Sequence, residues 1–150
     1  LLSLTTLLQS LAAQDIKMYA SIRNKGDECL FHLYQTGSSK EISLAVNQYG
    51  ELRYTVSGPS TFEYSDYYDN TNGQLIRVND TEYEYYTDIN KDGKIARVGD
   101  IKINYYDQYM GDERSGKISA IGDIRINYYV DIDGKAKVGK ISEIGGIRVD

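Results

Sequence analysis

Glycines at positions 50, 73, 93, 116 and 139 divide the last two thirds of this 150-residue chain into units spaced 23, 20, 23 and 23 residues apart. Each unit opens on the glycine and a short apolar run. The clearest copies continue through a two-residue Gly-Asp step into Ile-x-Ile-Asn-Tyr-Tyr. A fixed period of this length is the signature of a repeat architecture, in which one supersecondary element cannot bury its own apolar face and must stack on its neighbours. The unit is a β-hairpin. Residues 117–121 and 124–129 flank Gly122-Asp123, and 95–98 and 101–106 flank Gly99-Asp100. Two alternating segments joined by two residues containing glycine are the strongest short-range hairpin signal. Alternation puts Ile124, Ile126 and Tyr128 on one face and Arg125, Asn127 and Tyr129 on the other, so one face is core and one is wet.

Composition supports strands. Tyr supplies 15 of the 17 aromatic residues and Trp is absent, and Tyr with Ile and Val suits a pleated, half-buried surface. Ahead of the repeats, runs at 16–23, 28–34, 41–48 and 51–57 are separated by turn-forming stretches such as Asn24-Lys25-Gly26-Asp27 and Thr36-Gly37-Ser38-Ser39. Within 28–34 the alternation is imperfect, which predicts a strand covered on both sides. The first unit, Gly50 to Asn72, fits the pattern worst. Its long Gly58-Pro59-Ser60 connection predicts a bulge or a change of register. The expected fold is all-β: about ten to twelve antiparallel strands in tandem hairpins, a meander forming an open twisted sheet or a solenoid. Residues 14–49 form N-terminal strands and 50–150 five repeats, the last incomplete.

Residues 1–13, LLSLTTLLQSLAA, read as the remnant of a secretory signal peptide, with a short N-terminal helix as the alternative. Thirteen residues are too few to span a bilayer as a helix, so a transmembrane protein is not expected and a secreted or cell-surface location is. A net charge of −5 argues against nucleic acid as a partner. Between Gly50 and Asp92 nine acidic residues face three basic ones, while from Gly93 onward ten basic residues offset nine acidic. Stacked in order, such units would make a mildly polar rod able to favour end-to-end self-association, although ordinary solvated surface charge is the stronger reading of the same asymmetry. Cys29 is the sole cysteine, opens the apolar run Cys29-Leu30-Phe31 and is expected to be a buried structural thiol.

The segments 85–95 (YYTDINKDGKI) and 67–75 (YYDNTNGQL) resemble the tyrosine-aspartate repeats of Rhs-type surface and toxin proteins, with Lys or Gln where that family favours Arg. Tyr128-Tyr129-Val130-Asp131-Ile132-Asp133-Gly134 resembles the choline- and glucan-binding repeats of bacterial surfaces, whose ligand sites are built from Trp as well as Tyr. Both resemblances imply hairpin arrays. The second implies a polysaccharide partner.

Candidate chemistry is sparse. Asp88, Asn90 and Asp92 alternate before Gly93 as in the first half of a calcium loop, but position twelve of that loop is Gly99 rather than an acid, and an Asx-rich hairpin loop explains the same residues. No other cofactor is expected. Glu63, Asp66, Glu82 and Glu84 are scattered carboxylates on a solvated face, too weak a basis for an enzyme. His32, the sole histidine, reads as a core or edge residue. The outer tyrosines Tyr68, Tyr86, Tyr106 and Tyr129 recur at repeat spacing. They either pack between strands or form an exposed ladder able to stack on sugar rings. The final half repeat, Ile147, Arg148, Val149 and Asp150, is an edge open to pairing with another strand. The expected role is therefore a non-catalytic structural subunit of an extracellular or cell-surface fibre or adhesive scaffold, with carbohydrate binding through the tyrosine ladder as the alternative.

Overall fold

The computed structural model describes residues 9–11, 16–23, 27–35, 43–55, 61–66, 73–131 and 135–149. They form fourteen strands in two antiparallel meanders. The first sheet runs in chain order through β1 (Gln9–Leu11), β2 (Ile16–Arg23), β3 (Glu28–Gln35), β4 (Ser43–Asn47) and β5 (Leu52–Thr55). The second holds β6 (Phe62–Tyr64), β7 (Leu75–Val78), β8 (Thr81–Tyr85), β9 (Ile95–Val98), β10 (Ile101–Tyr105), β11 (Ile118–Ile121), β12 (Ile124–Tyr128), β13 (Ile141–Ile144) and β14 (Ile147–Arg148). Neither sheet closes, so the open meander is the architecture. Short pieces at the margins bring the strand count above the expected ten to twelve. Of the first thirteen residues only Gln9–Leu11 are described, and they form a strand paired with β2.

One recipe builds every repeat. The hairpins β7–β8, β9–β10, β11–β12 and β13–β14 turn through Asn79-Asp80, Gly99-Asp100, Gly122-Asp123 and Gly145-Gly146. The first residue of each turn has a φ of +53° to +56°, which glycine adopts freely and Asn79 best tolerates among side-chain-bearing residues. Its N–H donates to the preceding unit: Gly99 to Glu82, Gly122 to Lys102, Gly145 to Arg125. Between hairpins a bulge recurs at one place, at Glu84/Tyr85, Asn104/Tyr105 and Asn127/Tyr128. Past the bulge, a pair of backbone bonds closes each joint. Tyr106 N–H donates to Lys117 and Gly116 N–H to Tyr106; Tyr86 with Lys94 and Gly93, and Tyr129 with Lys140 and Gly139, do the same.

The same joint lies between β4 and β5. Asn47 N–H donates to Glu51, Gly50 N–H donates to Asn47, and the pairing shifts between Ala45 and Val46. The unit beginning at Gly50 is therefore a true repeat whose hairpin has been opened. Its first strand, β5, closes the N-terminal sheet; its second, β6, starts the array. This is the physical form of the irregularity expected from Gly50 to Asn72. The Gly58-Pro59-Ser60 connection lies outside the described residues.

Both sheets share one core. Ile95, Ile103, Ile118, Ile121, Ile126, Ile141 and Ile144 are fully buried together with Met18, Phe31, Val46 and Cys29. Burial pushes the Cys29 thiol up, so the cysteine is an inert core residue. Phe31, His32 and Leu33 are all buried, as expected for a strand covered on both sides. The turn ends of the first sheet meet the array at successive repeats. Ile95 N–H donates to Gly50 at 3.4 Å, Ile118 N–H donates to Gln48 at 2.7 Å, and Lys140 pairs with Asp27 at 3.6 Å.

Candidate functional site

The paired tyrosines at the end of each second strand divide their work. The inner ring packs against the core, and in two units it turns back on its own unit: Tyr85 donates to the Leu75 carbonyl at 2.9 Å and Tyr105 to Ile95 at 2.7 Å, whereas the buried Tyr128 hydroxyl makes no hydrogen bond among the described residues. The outer ring reaches forward. Tyr86 donates to Ile103 at 3.0 Å, Tyr106 to Ile126 at 3.0 Å and to Asn127 Oδ1 at 2.9 Å, and Tyr129 to Val149 at 3.3 Å. Two of the outer rings also meet the inner ring of the next unit edge-on. Tyr86 and Tyr105 lie 5.7 Å apart at 82°, and Tyr106 and Tyr128 6.1 Å apart at 75°, within the geometry that aromatic pairs prefer. A cation covers each outer ring: Lys91 at 5.0 Å from Tyr86, Arg114 at 5.3 Å from Tyr106, Lys137 at 5.1 Å from Tyr129.

Lysines following the repeat glycines add a second forward staple. Lys94 donates to the Gly116 carbonyl, and Lys117 donates to Gly139 at 2.6 Å. Both ammonium groups lie over inner tyrosines, Lys94 at 5.0 Å from Tyr105 and Lys117 at 4.9 Å from Tyr128. Burial pulls the pKa of both lysines below the ordinary value, most simply because each has left water for carbonyls and ring faces. Burial likewise raises the hydroxyls of Tyr86 and Tyr106, and pushes Tyr85 up to about 12.

Tyr86, Tyr106 and Tyr129 are thus half-buried and engaged between repeats; Tyr68 lies outside the described residues. Asp88 forms an Asx turn, its Oδ1 accepting from Asn90 N–H at 3.1 Å and its carbonyl from Lys91 N–H at 3.0 Å, while Asp92 is exposed. Among the described residues no three His, Cys, Asp or Glu side chains converge on a common point. Glu63 and Glu82 both pair with Arg77, at 3.1 and 3.0 Å, and Glu84 pairs with Arg97 at 3.4 Å, all exposed to solvent. At the last strand Ile147 pairs with Ile144 and Arg148 with Glu143, and Val149 N–H donates to Ser142 at 2.9 Å. Asp150 lies outside the described residues.

No family model, curated protein or solved structure matches the chain. No helix among the described residues is long and apolar enough to cross a membrane. The forward lysine staple is the functional feature that the sequence reading passed over. Its signal was the recurrence of Gly-Lys at 93–94, 116–117 and 139–140, visible in the sequence but not interpretable until the lysine was seen to reach the next glycine.

Proposed function

We propose that this protein is a non-catalytic structural β-repeat protein, an exported subunit of a cell-surface or extracellular fibre or adhesive scaffold that associates head to tail. One observation carries the reading: the polar staples between repeats all point the same way. Three units donate forward from an outer tyrosine, those beginning at Gly93 and Gly116 also from a lysine, and each following unit presents the carbonyls that those groups need. A joint whose side-chain donors point the same way at each step is the geometry of a heterologous contact, which forms filaments wherever its rotation does not close a ring. Phe62 and Tyr64 on β6, an outer strand of the array, are exposed by 39% and 61%. The extracellular location is motivated by the apolar, hydroxyl-rich composition of residues 1–13.

Negative-stain electron microscopy and sedimentation velocity over a wide concentration range test the assignment. Filaments or a concentration-dependent ladder of end-to-end oligomers are expected. A single monomeric species at the highest attainable concentration rejects self-assembly.

A further inference from the structure

A cleft of about 660 Å³ opens where the β2–β3 and β4–β5 turns meet, lined by Arg23, Glu28, Leu30, Tyr49, Glu51 and Arg53 among others. Leu30 and Arg23 belong to the sheet face turned away from the shared core, since their neighbours Cys29 and Ile22 are the buried ones. The volume lies within the roughly 300 to 1,000 Å³ typical of small-molecule sites.

We propose that this cleft binds the pyranose rings of a neutral oligosaccharide, with Tyr49 as the stacking platform. This site is separate from the repeat staples. Tyr49 is 44% exposed, whereas the ladder tyrosines spend their hydroxyls and ring faces inside the array. Its position is fixed. Asn47 Oδ1 accepts from both Tyr49 N–H and Glu51 N–H at 3.0 Å, clamping the two-residue turn that carries the ring. Gln48 ties that turn to the neighbouring one, accepting from Cys29 N–H and donating to the Asp27 carbonyl, each at 2.7 Å. Lys117 lies 5.9 Å from the Tyr49 ring centroid and anchors it against the array. A ring held this way loses little conformational entropy when a ligand stacks on it.

Polar groups beside the ring match a sugar's needs. A pyranose offers a C–H face to an aromatic ring and a rim of hydroxyls that both donate and accept. Arginine only donates and an ionised carboxylate only accepts, so a hydroxyl rim calls for both. Arg23 and Arg53 supply the first; Glu28 and Glu51 supply the second. The Glu51 carboxylate is preset: Asn47 Nδ2 at 2.8 Å and Arg53 Nη2 at 2.9 Å both donate to its Oε2. Lys140 pairs with Asp27, so the carboxylates of Asp27, Glu28 and Glu51 are balanced by Arg23, Arg53 and Lys140, which suits a neutral ligand.

The intact chain, isotopically labelled, is titrated with maltohexaose, cellohexaose and chitohexaose, with an oligogalacturonate as the charged comparison. Amide shifts mapped by NMR are expected to centre on Tyr49, Glu51 and Leu30 for at least one neutral chain. Tyr49→Ala and Glu51→Gln should each weaken that binding at least about tenfold, equivalent to about 1.4 kcal/mol, while Tyr109→Ala, on the 3-10 turn after β10 and outside the cleft lining, binds as the parent does. Glu51→Gln keeps the side chain's shape, so it decides the matter even where Tyr49→Ala perturbs folding. Failure of all three neutral chains to bind at millimolar concentration, preference for the oligogalacturonate, or binding that survives both substitutions overturns the proposal. Filament formation is read separately and does not bear on it.

Discussion

In the N-terminal sheet β2 and β3 pair over eight consecutive residues, whereas no hairpin of the repeat array contributes more than two residue pairs to its own ladder. Pairing between array hairpins is three residues long and interrupted by a bulge. The two regions share a core but solve cohesion differently. Long strands in the first sheet supply backbone hydrogen bonds and cross-strand packing in quantity. Strands of four or five residues supply neither, and an isolated hairpin is marginal in water. The array compensates with side chains that cross from one unit to the next: an outer tyrosine at each joint, joined by a lysine at two of them and by an edge-on aromatic pair at two. A short repeat thus needs side-chain staples where a longer strand can rely on its ladder.

Breaking the shared core should have the largest effect. Phe31 is wholly buried in the first sheet, and Phe31→Ala is expected to cost about 3 to 5 kcal/mol. Urea unfolding followed by both circular dichroism and tyrosine fluorescence should remain a single coincident transition. Two separated transitions would show that the sheets are independent, and the comparison would become one between two domains.

The joint comes next. A Cβ on Gly50 would lie 1.9 Å from the Tyr105 hydroxyl, with φ at +81°. Strain and overpacking together make Gly50→Ala cost roughly 2 to 5 kcal/mol. Gly73 has a similar φ, +73°, but an added Cβ there meets nothing within 4 Å, so Gly73→Ala should cost only about 1 to 2 kcal/mol. Equal shifts in the urea midpoint would mean that the contact between Gly50 and Tyr105 carries no weight.

The staples are expected to be individually modest. Tyr106→Phe removes the hydrogen bonds to the Ile126 carbonyl and Asn127 Oδ1 and should cost about 1 to 2 kcal/mol. Tyr109→Phe, on a ring 78% exposed, should cost nothing measurable by the same assay. A Tyr106→Phe midpoint indistinguishable from the parent would remove the tyrosine staple as a source of cohesion.

The smallest effect separates the sheets by pH. His32, stacked on Tyr19 at 4.3 Å in the first sheet, has its pKa lowered below 6.5 by burial and, secondarily, by Arg23. Because the folded value is the lower one, the unfolded chain takes up the proton first. Its contribution is fully present above pH 6.5 and drains away as the pH falls through and below that value. The urea midpoint should therefore drop between pH 7 and 5, and His32→Gln should flatten that part of the profile. An unchanged slope in the variant would assign the acid sensitivity elsewhere.

Much of the fold was legible because its signals were local. The period, the two-residue turns and the alternation of Ile124, Ile126 and Tyr128 required only sequence spacing, and the buried-exposed pattern of β12 follows that alternation. The boundaries of β2 also coincide with the apolar run at 16–23. The candidate site was less legible. Tyrosine spacing identified the outer rings but could not say whether their hydroxyls faced water or a carbonyl twenty residues on. Tyr49 falls in the break between the runs at 41–48 and 51–57, and nothing in the sequence brings residues 23, 28 and 53 beside it.

By itself the sequence determined an all-β repeat chain, its hairpin turns, its core face and the unit that departs from the pattern, because turn chemistry and strand alternation act over a few residues. Tertiary structure alone decided that this departing unit would divide between two sheets, that tyrosines and lysines would bind forward to the next unit, and that two distant turns would enclose a cleft. Those outcomes depend on which strands become neighbours, and that choice is settled by the burial of a common core rather than by any single segment.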